Sequence, residues 1–359
     1  MALRASKPSF NVREKLTELG RRFGLKGSEL AAAETVQEAR DLVSAGRKNL
    51  VINGSMSIAQ RGVGPVTVSN NTYQTVDRFK TWLNYSSGTV QISQDSDAPS
   101  GFTKSLKYTS SATAAQYHIL SQIIEANNLG HIKAGTSDAL PLTVSFWVKS
   151  NRTGNFNFEI VDDDGSHHIV KQYTINNSGQ WEYKSIFIPP NTSGGVMTID
   201  NTTGYELFWF LGSSTSYSGT ALTDNWASFS TTRRNTGGNV TLNSGDYWQI
   251  TGVQLEVGKN ATEFEHRHYG EELKLCERYY EYSSAGTGRF YTIRNDGISR
   301  GTVTWRTVKR ATPNSVTLTH SNPSGWSSAT VLGKDRYGMD FGSSGNYSNF
   351  ASYACDAEL

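Results

Sequence analysis

The sequence predicts a mainly β protein: a jelly-roll β-sandwich with a short helical N-terminal segment and a small C-terminal β-domain. Three observations predict it. The 359 residues include 34 Gly, 17 Tyr, 15 Phe and 8 Trp but only 4 Met, a bias toward strands and turns over helices. Short runs of alternating apolar and polar residues, separated by turn signals, recur from about Asn49 to Arg267. Two apolar segments bracket that region, Asn49-Leu50-Val51-Ile52-Asn53-Gly54-Ser55-Met56 and Trp248-Gln249-Ile250-Thr251-Gly252-Val253-Gln254-Leu255-Glu256-Val257-Gly258. They are expected to form its first and last strands.

Residues 1–46 read differently. Phe10, Val12, Leu16, Leu19 and Phe23 recur at helical spacing, with Gly20, Gly24 and Gly27 interrupting them. Thr35 and Glu38 form a capping box ahead of Val36, Ala39, Leu42 and Val43, and Gly46 suits the helix stop. A helix this short is marginal alone and needs a docking surface. The segment is therefore expected to anchor the chain to a larger assembly through Phe10, Val12, Leu16, Leu19, Phe23, Leu42 and Val43. Packing of the same helix on the chain's own β-domain stands as the alternative.

Residues 47–269 form the expected sandwich. Leu142, Val144, Phe146 and Val148 alternate with Thr143, Ser145, Trp147 and Lys149, as in a half-buried strand. Phe156, Phe158 and Ile160 follow, then a turn at Asp162-Asp163-Asp164-Gly165, and further strands at 181–188, 205–211 and 247–257. Residues 117–129 read as a single helix across one end. Residues 270–282 read as a helical connector built on Leu273, Leu275, Cys276 and Tyr279. Residues 283–359 return to strands, at 290–294, 301–308, 315–320 and 349–354. This last region is too small and too poor in Leu, Ile and Val to bury a large core, so oligomerisation is its expected stabiliser.

The formal net charge of +2, with Lys and Arg interspersed among acids, argues against a nucleic-acid partner. No apolar run approaches the roughly 18 residues of a membrane span. Two cysteines make no disulfide framework and fit synthesis in a reducing cytoplasm. No nucleophile elbow, phosphate loop or dinucleotide fingerprint is present, so no catalytic residue, metal or cofactor is expected. Asp162-Asp163-Asp164-Gly165 lacks the ligand spacing of a calcium loop. His167 and His168 point to opposite faces of a strand and read as solvated, while His266 and His268 make an incomplete zinc set within a charged exit from the sandwich.

The aromatics carry more. Trp and Tyr offer flat apolar faces with a polar tip, suited to sugar rings and partner surfaces. If Val144, Phe146 and Val148 face the core, Trp147 takes the opposite face, and Gln254 and Glu256 oppose Val253, Leu255 and Val257 in the same way. Trp147, Gln254 and Glu256 are therefore the candidate ligand-binding residues, with Trp226, Trp326 and Tyr337 as further contact residues in loop-like sequence. Burial of Trp147 by packing or by another subunit is the competing reading.

Several segments together resemble bacteriophage tail-fibre and virion structural proteins. They are Lys48-Asn49-Leu50-Val51-Ile52-Asn53-Gly54-Ser55-Met56 with Gln60-Arg61-Gly62 and Val76-Asp77-Arg78-Phe79, and the closing strand through Gly258. Phe264-Glu265-His266-Arg267, Tyr269-Gly270-Glu271-Glu272-Leu273, Cys276-Glu277-Arg278-Tyr279-Tyr280 and the final Asp356-Ala357-Glu358-Leu359 are similar in the same way. The 10–46 head resembles a fibre attachment segment. The resemblance implies a jelly roll similar to carbohydrate-binding modules, a homotrimer, a place on the virion and no catalytic residues. It implies attachment to tail or other virion proteins through residues 1–46, and adsorption by binding a host surface glycan. A head or neck fibre, or a polysaccharide depolymerase, is the alternative. Related sugar-binding jelly rolls often hold a structural calcium where Ser55 stands in place of the usual acidic residue.

Overall fold

The computed structural model describes residues 48–68, 71–111, 114–217, 225–238, 241–283, 290–293, 299–320, 327–343 and 347–359. The chain divides into two compact units, Met1–Lys48 and Asn49–Leu359. The expected N-terminal helices, with Phe10, Val12, Leu16, Leu19, Phe23, Leu42 and Val43, lie outside the described residues.

Among the described residues, the second unit begins with thirteen strands. They are β1 (Val66–Val68), β2 (Thr72–Tyr73), β3 (Phe79–Ser87), β4 (Val90–Asp95), β5 (Ser105–Ser110), β6 (Ala114–Glu125), β7 (Leu142–Ser150), β8 (Gly154–Asp162), β9 (His167–Ile175), β10 (Glu182–Ile188), β11 (Thr203–Ser213), β12 (Ala227–Ser228) and β13 (Asp246–Val257). A six-stranded sheet runs β1-β4-β5-β13-β7-β10, and a seven-stranded sheet runs β12-β9-β8-β11-β6-β3-β2. All their pairings are antiparallel, and strands distant in sequence lie side by side, as in a jelly roll. The inner faces meet in one apolar core. Phe146 of β7 packs edge-on against Tyr173 of β9 at 5.2 Å and Trp209 of β11 at 6.0 Å. Val144, Phe146, Val148, Phe158, Ile160 and Trp209 are fully buried, each worth about 1.5–3 kcal/mol relative to exposure.

Two expectations change. Residues 117–129 are not a helix: most of them belong to β6, and short 3-10 turns follow at Ala126–Asn128 and Gly130–Ile132. Ile119 and Ile123 are buried on the outer face, and Leu120 and Ile124 on the inner, so β6 shows no polar alternation. Residues 49–56 are not the first strand of the sandwich. Asn53 and Met56 adopt positive φ (60° and 58°), which breaks an extended run. The segment still lies along β13: Leu50 N donates to Leu255 O at 2.8 Å, and Val253 N to Gly54 O at 2.9 Å. Gly54 is required here, since a Cβ would sit 2.0 Å from Val253 O.

Among the described residues, the rest of the unit holds one helix, α1 (Tyr269–Glu277), and nine strands. These are β14 (Tyr280–Ser283), β15 (Phe290–Ile293), β16 (Ser299–Thr304), β17 (Ser315–Thr319), β18 (Ser327–Ser328), β19 (Thr330–Lys334), β20 (Gly338–Ser343), β21 (Tyr347–Phe350) and β22 (Ser352–Asp356). They form three-stranded sheets β14-β22-β17, β15-β21-β18 and β16-β20-β19. Their core gathers Trp305, Met339, Phe341, Phe350, Tyr353 and Cys355. His268 caps α1 by accepting from Gly270 N, and Glu271 and Glu272 lie in its first turn, where the helix dipole favours acids.

The sandwich and the C-terminal strands are joined by buried charge. Arg78 pairs with Glu358, donates to Ile123 O at 2.6 Å, and lies 3.5 Å from the centre of the Tyr279 ring. Arg61 reaches Asp356 at 3.1 Å and Glu358 at 3.4 Å, and stacks on Tyr280. Arg278 binds both oxygens of Glu125, at 3.0 and 2.6 Å, and Tyr279 Oη donates to the same carboxylate at 2.9 Å. Asp77 accepts from Gln60 N and Nε2, and its burial pushes its carboxyl up to about 6. Asn53 N donates to Glu272 at 2.5 Å, and Arg267 bridges Glu265 and Glu272, so the opening segment is tied to α1 as well.

Candidate functional site

The outer face of the six-stranded sheet divides into a covered half and an open half. On β7 the register places Trp147 between Tyr183 of β10 and Thr251 of β13. Trp147 is half-buried against the Tyr183 ring, centroids 5.4 Å apart, while Tyr183 is 45% exposed. Trp181, just before β10, donates its indole N–H to Asp97 Oδ1 at 3.1 Å. Lys149, two residues along β7 and so on the same face, donates to Asp97 Oδ2 at 2.6 Å and lies 5.9 Å from the Trp181 ring. One carboxylate thus orients an indole and an ammonium together. Burial opposes ionisation of Asp97, but the bonds from Lys149 and Trp181 outweigh it and hold the carboxyl below its ordinary range. Farther across the face, Lys107 pairs with Asp95 at 3.3 Å and lies 5.5 Å from the Tyr247 ring.

The covered half explains what becomes of Gln254 and Glu256. Both have the outward parity expected of them, yet they are 0% and 2% exposed and line no open surface. The chain leaving β13 folds back over them. Gln254 accepts from Glu265 N at 2.8 Å and donates to Glu256 at 2.8 Å, while Glu256 accepts from Thr262 N at 2.8 Å and Thr262 Oγ1 at 2.6 Å. They hold this strap in place. A bulge at Gly252 (φ +62°) lets the Phe102 ring pack close, and Phe264 and His266 complete an aromatic trio at 4.9–5.3 Å. The strap walls off the open half.

The remaining sequence candidates lie elsewhere. Trp226 is half-buried, donates to Pro189 O at 2.8 Å and packs on Tyr205 at 5.7 Å, a packing role at the sandwich edge. Tyr337 is 61% exposed on the turn between β19 and β20. Trp326 lies outside the described residues. Reading the sequence missed Tyr183, Trp181, Lys149 and Asp97. Tyr183 and Lys149 could have been found from strand parity, but the pairing that brings β10 beside β7, and Asp97 against Lys149 and Trp181, is not local.

A second polar cluster lies on the outer face of the seven-stranded sheet. His168, expected to be solvated, is buried with its Nδ1 2.7 Å from Glu159, whose other oxygen accepts from Arg234 Nε at 2.8 Å. The Arg234 guanidinium lies over Phe208 at 4.6 Å, so the cluster clamps residues 225–238 onto the sheet. With both Glu159 oxygens engaged, it offers little to a ligand. His167 Nδ1 lies 2.5 Å from Gly165 O in the β8–β9 turn. Among the described residues no group of three or more His, Cys, Asp or Glu could hold a metal ion.

No protein-family model matches the chain. No curated protein matches it. Solved structures do resemble it. A bacteriophage CBA120 tailspike protein 4, enzymatically active domain, is 14% identical with a TM-score of 0.32, over 58% of this chain and 21% of that one. A sugar-binding protein described as putative, from Bacteroides thetaiotaomicron, is 10% identical with a TM-score of 0.31, over 59% of this chain and 100% of its own. The family 11 carbohydrate-binding module from Clostridium thermocellum, in complex with a β-1,3-1,4-mixed-linked tetrasaccharide, is 14% identical with a TM-score of 0.29, over 57% of this chain and 99% of its own.

Proposed function

We propose that this chain is a phage virion structural protein: a homotrimeric tail fibre whose jelly roll binds host surface polysaccharide. Residues 1–46 would join it to tail or other virion proteins. The observation that carries the glycan reading is the Trp147–Tyr183 pair beside the Asp97 clamp on Trp181 and Lys149. Aromatic faces supply apolar contact with a polar tip, and a fixed carboxylate and ammonium supply acceptors and donors at set positions. Because those groups are held before any ligand arrives, little ordering cost falls on binding. The virion reading is supported by the segments that resemble fibre proteins. The role is binding, not cleavage.

A glycan array carrying bacterial surface polysaccharides tests this reading. The full chain should bind at least one of them, and Trp147→Ala should weaken that binding about tenfold, the scale of one lost aromatic contact. Circular dichroism of the variant should match the parent. Light scattering should give three copies per particle, and the bound polysaccharide should release no reducing ends. A blank array, or a Trp147→Ala profile equal to the parent's, refutes the glycan role; a clean monomer refutes the trimer.

A further inference from the structure

We infer that the C-terminal strands carry a second saccharide site, sized for one neutral sugar residue, in the hollow over β16, β20 and the β19–β20 turn. The hollow is a shallow depression open to solvent, about 270 Å³ in volume, lined chiefly by the exposed residues Thr302, Thr304, Lys334, Asp335, Tyr337 and Asp340. That volume falls just under the roughly 300–1,000 Å³ of pockets that take drug-sized ligands, which suits a single ring.

The backbone of the turn that carries its exposed aromatic is held by hydrogen bonds. Tyr337 is 61% exposed, but its turn is pinned on every side. Asp335 Oδ1 accepts from Tyr337 N at 2.7 Å and Gly338 N at 2.9 Å. Behind the turn, Trp305 N donates to Tyr337 O at 2.9 Å, Trp305 Nε1 to Asp335 O at 3.0 Å, and Lys309 N to Arg336 O at 2.9 Å. A mobile surface tyrosine needs no such frame. A ring that receives a ligand gains from it, because the backbone is ordered in advance.

The polar groups are set around that ring. The β16–β20 register puts Thr302 opposite Asp340, and Thr302 Oγ1 donates to Asp340 Oδ1 at 2.7 Å, which fixes the carboxylate plane. Lys334 Nζ spends one of its three donors on Asn314 O at 2.8 Å. Two carboxylates and the Thr304 hydroxyl can accept from sugar hydroxyls, the lysine and threonine can donate to them, and Tyr337 can stack on the C–H face. Two carboxylates against one ammonium leave an excess of negative charge, which selects against uronates, sialic acids and phosphorylated sugars. This sheet is separate from the one bearing Trp147, so the site stands or falls apart from the jelly-roll reading.

Saturation-transfer NMR on the full chain tests it, with the methyl glycosides of glucose, galactose and mannose, with N-acetylglucosamine, and with glucuronate. At least one neutral sugar should show transfer, and the double variant Trp147→Ala/Tyr183→Ala should retain it. Tyr337→Ala should weaken the affinity about tenfold, and Tyr337→Phe, which keeps the ring, should restore it. Asp340→Asn should also weaken it, and glucuronate should bind at least about tenfold less well, since like charge opposes it. Silence from all four neutral sugars overturns the inference. So does affinity that Tyr337→Ala leaves unchanged, or glucuronate binding as tightly as a neutral sugar.

Discussion

Replacing Arg78 with Met should loosen the C-terminal strands from the sandwich. The Arg78 side chain is 1% exposed and that of its partner Glu358 4%, so both charges sit out of water. Removing one partner of such a pair typically costs about 3–5 kcal/mol, because the other charge is left buried and uncompensated. In Arg78→Met, Glu358 keeps Arg61 at 3.4 Å, which places the cost near the lower end, about 3 kcal/mol. In Glu358→Leu, Arg78 keeps, among the described residues, the Tyr279 ring face and Ile123 O, which places the cost near the upper end, about 5 kcal/mol. The double variant removes both charges together and should be more stable than the sum of the single losses by about 2 kcal/mol. Urea unfolding followed by tryptophan fluorescence reads all four proteins, at one fixed protein concentration because association shifts the midpoint. Additivity within about 0.5 kcal/mol, or an unchanged midpoint in Arg78→Met, refutes the reasoning.

Two buried groups should give the stability opposite pH trends. His118 is fully buried against Tyr108, and burial pulls its pKa from 6.5 down to about 4. Its contribution is present above pH 6.5 and is lost as pH falls toward 4, a change of about 3 kcal/mol. Burial raises Asp77 from 3.8 to about 6, so its contribution is present below pH 3.8 and is lost as pH rises through 6. His118→Leu should therefore gain stability between pH 6.5 and 4, and Asp77→Asn should lose it; parallel urea midpoints across that range contradict the assignment. Cys276 and Cys355 are free and buried, and burial raises both thiols, that of Cys355 to about 12. Neither should react with a thiol reagent in the native protein at pH 8, both should react in urea, and a fast native equivalent counts against this packing.

What could be read from the sequence was set by whether the deciding interaction is local. The alternation along β7 and the Asp-Gly turn after β8 are local, and both are found where the residues place them. β6 hides its strand period because Ile119 and Ile123 are covered outside while Leu120 and Ile124 fill the core. The apolar run at 49–56 reads as a strand, but positive φ at Asn53 and Met56 bends it; Asn53-Gly54 is a turn signal that the apolar neighbours hide, while Met56 gives no such signal. The same limit applies at the candidate site. Parity placed Trp147, Gln254 and Glu256 on one face correctly, but parity gives a face and says nothing of what covers it. The strap over Gln254 and Glu256, and the approach of Asp97 to Lys149 and Trp181, are tertiary facts.

Most of the segments that carry the resemblance to fibre proteins lie along the second unit, and several of them meet at the joint between the sandwich and the C-terminal strands. Gln60 and Arg61 bind Asp77, Asp356 and Glu358; Arg78 binds Glu358; Arg278 and Tyr279 bind Glu125; Arg267 binds Glu265 and Glu272. A buried charge in such a network has several partners at once, so few side chains can replace it without leaving another group unpaired. The Trp147 face is held differently: Tyr183 is 45% exposed and meets the Trp147 ring, and one partly exposed carboxylate, Asp97, ties Lys149 and Trp181. The chemistry of the joint is therefore over-determined by its own fold. Gln60-Arg61, Arg78, Arg278-Tyr279 and Glu358 thus lock two β regions together. Trp147 and Tyr337 take no part in these charge contacts, so substitutions at either should leave the lock intact.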